Sequence, residues 1–157
     1  MSSEKKWVCY LLKSVDSNKT YVGATNDLVK RLNDHCGING KSRGAKYTKG
    51  EMWYVILYVE GFRTKIECLS FEYQFKRMRK KKIDLSNYNL KNIGNETITK
   101  RIQDLFKLIL LNKPEHKWNR TFLKINFENG EKELSNRIDS LNQIICKESQ
   151  ILTDKIE

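Results

Sequence analysis

CYLLKSVDSNKTYVGATNDLVKRLNDH, residues 9–35, holds two apolar runs, a polar turn between them and the start of a helix. WVCYLL (7–12) has the aromatic and β-branched character of a strand. Asp16, Ser17 and Asn18 supply turn chemistry, and TYVGA (20–24) reads as a second strand, giving an antiparallel hairpin. Thr25 or Asn26 can cap the helix that follows, with Asp27 in its first turn, where negative charge is favoured. Leu28 and Leu32 would face the core. Arg31 and His35, four residues apart, share another face.

Beyond the hairpin, GINGKSRGAKYTKG (37–50) is glycine-rich and basic and reads as a loop, whereas WYVILYV (53–59) is apolar enough for a central strand covered on both sides. Thr64-Lys65-Ile66-Glu67 is a capping box opening a helix striped by Cys68, Phe71, Phe75 and Met78, with Glu72 at the edge of the stripe. The order β-β-α-β-α defines a compact α+β unit over residues 5–83. The polar run 84–96 is the candidate linker to a mainly helical extension, residues 84–157, expected to pack on the core. In it Ile98, Ile102, Leu105, Phe106 and Ile109 mark one amphipathic helix, and Leu134, Ile138, Leu141 and Ile145 mark the last. TFLKINF (121–127) alternates as an extended piece.

Composition narrows the function classes. The 157 residues carry a formal net charge of +11. Residues 1–83 hold 18 Lys plus Arg against 8 Asp plus Glu, a net of +10, which leaves only +1 for the remainder. A positive field concentrated this way points to a polyanionic partner such as nucleic acid. MSSEKK leads into a short interrupted apolar run rather than a signal peptide, and no apolar stretch reaches the roughly 20 residues of a membrane helix. The expectation is an intracellular protein, in nucleus or cytoplasm. Cys9, Cys36, Cys68 and Cys146 form no CxxC pair, and with only His35 and His116 beside them no zinc site is expected; free thiols in a reducing compartment are.

The first half thus places Tyr10, Tyr21, Arg31, His35 and Glu72 on separate elements of one small unit. Singly, each has an ordinary use: packing for the tyrosines, an ion pair to Asp27 or Asp34 for Arg31, a helix C-terminus for His35, an i,i+4 pair with Lys76 for Glu72. Together they supply what phosphodiester hydrolysis needs. Glu72 could hold a hard cation such as Mg²⁺ or Mn²⁺, Arg31 could grip a phosphate through its planar fork, and Tyr10 or Tyr21 could orient or deprotonate water.

Val8-Cys9-Tyr10 and Tyr21-Val22-Gly23, two tyrosine triplets about a dozen residues apart, are followed by Thr25, Asp27, Arg31-Leu32 and His35. This pattern resembles the core signature of the GIY-YIG nuclease family. Gly44 to Thr48, Trp53-Tyr54 and Phe71-Glu72 extend the likeness. Val59 to Phe62, Phe71 to Gln74, Trp118 and Leu123 are similar to the catalytic subunit of eukaryotic structure-selective endonucleases, which cut Holliday junctions, flaps and fork-like branches. The resemblance implies a small three-stranded antiparallel sheet flanked by helices. It also implies a repair or recombination endonuclease with branched DNA as partner. The implied mechanism uses one metal ion and in-line attack of water. Tyr10 and Tyr21 would order that water, Arg31 would stabilise the phosphate, His35 would bond a tyrosine or the phosphate, and Glu72 would be the metal's carboxylate. Lys41, Arg43, Lys46, Lys49, Arg77 and Arg79 would grip the DNA backbone. Val8-Cys9 replaces the usual Gly-Ile or Gly-Val, and Cys36 replaces a common Asn. Residues 134–157, with Cys146 alone and no His, do not carry the ligand set of the subunit's zinc-binding, scaffold-docking domain. A homing-type endonuclease and a non-catalytic branched-DNA-binding module are the alternatives.

Overall fold

A computed structural model of the chain describes residues 6–38 and 46–156, with side chains to residue 147. Strand β1 (Val8–Ser14) turns through Asp16–Asn18 into β2 (Thr20–Thr25). Helix α1 (Leu28–Cys36), strand β3 (Trp53–Glu60) and helix α2 (Lys65–Phe75) follow. The extension supplies α3 (Glu96–Leu110), β4 (Lys124–Phe127) and α4 (Lys132–Ile156). No helix of the described residues is long and apolar enough to cross a membrane.

The sheet has four strands in the order β2-β1-β3-β4, every pair antiparallel, so the expected count of three is corrected. The added strand is the 121–127 piece. Its Leu123 and Ile125 are buried, and it pairs along β3 from Leu57↔Phe127 to Glu60↔Lys124. Asn142 of α4 then receives the Ile125 N–H on Oδ1 (2.9 Å) and donates Nδ2 to the Ile125 carbonyl (2.7 Å). A side-chain amide thereby satisfies backbone groups that an edge strand would otherwise leave to solvent.

Successive strand residues face opposite sides of the sheet. On one side Tyr10, Leu12, Trp53 and Val55 form a small core under Leu28, Leu32 and Cys36 of α1. On the other, Cys9, Leu11, Leu57 and Val59 join a larger core with Phe71, Phe75, Ile102, Phe106, Trp118, Leu134 and Ile138. This one core contains residues from both the first 83 positions and the extension. The polar run 84–96 carries Leu90 and Ile93 into it, both almost fully buried.

Three helix ends differ from the expectation. The α1 cap is Asp27 itself, in a non-helical conformation and accepting the Lys30 N–H at 3.2 Å, while Thr25 Oγ1 accepts the Asp27 N–H. At α2, Thr64 Oγ1 accepts the Glu67 N–H, but the Glu67 carboxylate reaches back to Arg63 rather than to the Thr64 N–H. Helix α2 also stops at Phe75, and Met78 enters the core from a separate 3₁₀ turn, Met78–Lys80.

Candidate active site

Tyr10 and Gly23 are direct cross-strand partners in the β1–β2 ladder. A Cβ at position 23 would overlap the Tyr10 hydroxyl and Cζ. The glycine of the second triplet is therefore what lets the tyrosine of the first lie across β2. From there the Tyr10 ring reaches α1, where its hydroxyl and His35 Nε2 share a 2.8 Å hydrogen bond. Arg31 donates to the same hydroxyl. His35 Nδ1 bonds Thr48 Oγ1 at 2.7 Å, and the Thr48 carbonyl is held in turn by Trp53 Nε1 at 2.9 Å. A neutral imidazole donates through one nitrogen and accepts through the other, so Tyr10 and Thr48 fix the ring between them.

Tyr21 adds the exposed side of the cluster. Its ring centroid lies 6.4 Å from that of Tyr10, 4.9 Å from His35 and 6.3 Å from Tyr47, the last nearly parallel. Tyr10 and His35 are each 1% exposed, Tyr21 and Arg31 are half-buried, and Tyr47 is 51% exposed. Helix α2 packs on β1 and β2, bringing Lys76 to the Tyr21 ring and Glu72 beside Lys76. Lys76 Nζ bonds Glu72 Oε1 at 3.0 Å and stands 5.5 Å from the Tyr21 ring centroid. The Glu72 charge is felt at Tyr10, Cys9 and Cys68.

These surroundings set protonation. Burial lifts the Tyr10 phenol well above its ordinary value, opposed by the hydrogen bond from Arg31. Burial, and then the Arg31 charge, lowers His35 to about 4, so both groups are neutral near pH 7. Cys68 is pushed up to about 12 by burial and then by Glu72; Cys9 is also raised, chiefly by burial, so neither buried thiol is reactive. All four cysteines are free. Half-buried Cys36 accepts the Trp53 N–H at 3.3 Å and donates to the Trp53 carbonyl at 3.4 Å, tying α1 to the start of β3.

Tyr10, Tyr21, Arg31 and His35 thus meet in one cluster, and Glu72 adjoins it through its bond to Lys76. The expected DNA-gripping residues are more scattered. Lys46 and Lys49 are exposed at the 3₁₀ turn Lys46–Thr48, beside Tyr47. Arg77 lies flat on the exposed Tyr73 ring, 3.4 Å from its centroid. Arg79 is half engaged, its guanidinium bonding the buried Asp104 at 2.9 and 3.0 Å. Lys41 and Arg43 lie outside the described residues. Sequence reasoning gave no role to Thr48, Tyr47 or Lys76 in the site. Thr48 sits among lysines and glycines in a stretch read as solvated loop, yet it is fully buried. Lys76 was visible only as the i,i+4 partner of Glu72, a pair the structure does contain.

The GIY-YIG catalytic domain matches residues 6–89, more than half of the chain and all of this cluster. The chain belongs to the GIY-YIG nuclease family. Among the proteins it is similar to is an uncharacterized protein of Acanthamoeba polyphaga mimivirus, 44% identical over 111 residues, or 66% of each chain. The UPF0213 protein YazA of Bacillus subtilis is 41% identical over 76 residues, 48% of this chain and 72% of that one. The structure-specific endonuclease subunit SLX1 of Malassezia globosa is 37% identical over 73 residues, 45% of this chain and 16% of the subunit. The matched stretch thus falls just short of two thirds of the viral protein and covers a small part of the fungal one.

Proposed function

We propose that this chain is a divalent-metal-dependent endonuclease that hydrolyses phosphodiester bonds in branched DNA during repair or recombination. The observation that carries the proposal is the convergence of two tyrosines, an arginine, a neutral histidine and one carboxylate from β1, β2, α1 and α2. The likeness to the structure-specific SLX1 subunits supports a branched substrate.

Glu72 would hold the metal. Among the described residues no cluster of three or more His, Cys, Asp or Glu could hold an ion. A single carboxylate oxygen donor suits Mg²⁺ or Mn²⁺, which keep several waters and take phosphate oxygens as further ligands. When bound, such an ion supplies Lewis-acid charge to the phosphate and the leaving oxygen.

The residues of the chain divide the remaining work. Water attacks phosphorus in line with the departing 3′ oxygen, whose bond to phosphorus breaks to leave 5′-phosphate and 3′-hydroxyl ends. In its phenolate form Tyr21, the more open tyrosine, takes the water proton and becomes the neutral phenol, while Lys76 sets positive charge beside that ring. Buried Tyr10, locked by His35 and Arg31, orients the water and phosphate instead of titrating. The Arg31 guanidinium meets the charge that builds on the phosphate oxygens. Backbone contacts from the exposed lysines position without reading sequence, which suits selection by branch shape.

The test is cleavage of labelled flap, four-way and linear duplex DNA with Mg²⁺, with Mn²⁺ and with EDTA, alongside Glu72→Gln and Arg31→Ala. Cutting of branched DNA that needs metal and drops at least ~100-fold in both variants is expected. Shape-preferring binding with no cleavage would make the chain a binding module. Cutting at one sequence in linear duplex would make it homing-type.

A further inference from the structure

Beside the Tyr21 edge of the cluster lies a groove of about 350 Å³ lined by Asn18, Lys19, Thr20, Tyr47, Arg79 and Arg101, with Thr97 at its rim. Three elements distant in sequence each bring a cation to it: Lys19 from the β1–β2 turn, Arg79 from the 3₁₀ turn after α2, and Arg101 from α3. Arg101 is half-buried, and its Nε bonds Thr20 Oγ1 at 3.1 Å, next to Tyr21 in β2. Burial, and then the charge of Arg79, lowers its pKa below the ordinary arginine value, although arginine stays charged. The nearby carboxylate, Asp104, is committed to Arg79. Among the described residues Arg101 has no carboxylate within ion-pair distance. Lys19 is held over the Tyr47 ring, 5.1 Å from its centroid, and pairs with Glu51 at 3.2 Å.

Gathering two guanidiniums around one carboxylate, with one of them partly buried, costs free energy unless an anion completes the site. The groove is open and every residue lining it carries a cationic, hydroxyl or amide group, unlike a small-molecule pocket. Tyr47 joins it to the catalytic cluster, because the same ring stacks on Tyr21. We propose that Lys19, Arg79 and Arg101 form a second phosphate site, which holds a backbone phosphate of the DNA substrate flanking the scissile bond. The inference rests on the nuclease reading above and adds a contact from α3, in the extension, to the substrate path.

The experiment is binding of a fluorescein-labelled flap DNA in EDTA, where nothing is cut, followed by anisotropy from 50 to 200 mM KCl. Arg101→Gln is expected to weaken binding roughly threefold at ~0.1 M salt and to reduce the salt slope by about 0.9, one phosphate contact. Arg101→Lys should restore the slope. Thr20→Val, which removes the hydrogen bond but no charge, should leave the slope unchanged. With metal present, Arg101→Gln should raise KM with kcat unaltered. An Arg101→Gln protein that stays folded and keeps the wild-type affinity and slope overturns the site, as does an equal slope change in Thr20→Val. Lys19→Gln, at an exposed position, reads the same slope should the Arg101 variants fail to fold. Because binding is scored without cleavage, a loss of slope in a chain that cuts no DNA would spare this site and refute the nuclease reading. Normal cutting with an unchanged slope would do the reverse.

Discussion

At the scale of single residues, the site depends on a missing side chain. Gly23 gives up its Cβ so that Tyr10 can cross it, and Gly23→Ala is expected to displace the Tyr10 ring from His35. Overpacking of this kind costs about 1–3 kcal/mol, seen as a lowered denaturation midpoint, and should reduce cleavage at least ~10-fold. His35 has a signature in acid. Folded, it remains neutral down to about pH 4, whereas in the unfolded chain it takes up a proton near its ordinary 6.5. The unfolded state therefore binds more protons between these values. Stability from this group is complete above about pH 6.5 and is lost as pH falls toward 4. Chemical denaturation across that window should show a shallower pH slope in His35→Gln than in the wild type. The proximity of Tyr10, Tyr21, Arg31 and His35 was legible because their spacing survives in one dimension. Thr48 was not, since nothing in Lys46-Tyr47-Thr48-Lys49 distinguishes a buried hydroxyl from a solvated one.

At the scale of elements, periodicity was a good guide to helices and a poor one to their ends and to short strands. The stripes of α3 and α4 are buried as their spacing predicts. Met78 has the right spacing for α2 but belongs to the next turn, because a buried residue can continue a helical face after the helix stops. Strand β4 is four residues long, and its alternation alone could not show that it joins the sheet; the amide of Asn142 on a distant helix completes it. Helix α2, which carries Glu72, is held from behind by Trp118. That indole is 1% exposed, packs edge-on against Phe71 at 4.9 Å between centroids, and donates Nε1 to Gln74 Oε1 at 2.8 Å. Trp118→Phe keeps most of the apolar contact and loses the hydrogen bond. It should lower stability by about 1–3 kcal/mol. A thermal melt measures that loss.

For the whole molecule, charge distribution and element order were readable, but the sharing of one core was not. The stretch 84–96 is polar by composition and reads as a linker, yet Leu90 and Ile93 leave it to pack among residues of both halves. Leu85, Tyr88, Leu90 and Ile93, scattered among polar residues and a glycine, show no periodicity that announces a core segment. We propose on this basis that the two halves fold as a unit. A fragment ending at residue 89, where the family match ends, would expose Phe71, Phe75, Leu57 and Val59 and lose β4. It is expected to show no cooperative melt by circular dichroism, while the full chain melts cooperatively.

The strand order has a consequence for how such an enzyme would fail. Tyr10 sits on β1, ladder-bonded on both flanks, but Tyr21 sits on β2, which is bonded on one flank alone. Rim strands fray at lower free energy than interior ones and exchange their amide hydrogens sooner. On gentle warming, Tyr21 would drift out of register while Tyr10 and the sheet beneath it stayed intact. Inactivation would then precede melting, and would reverse on cooling.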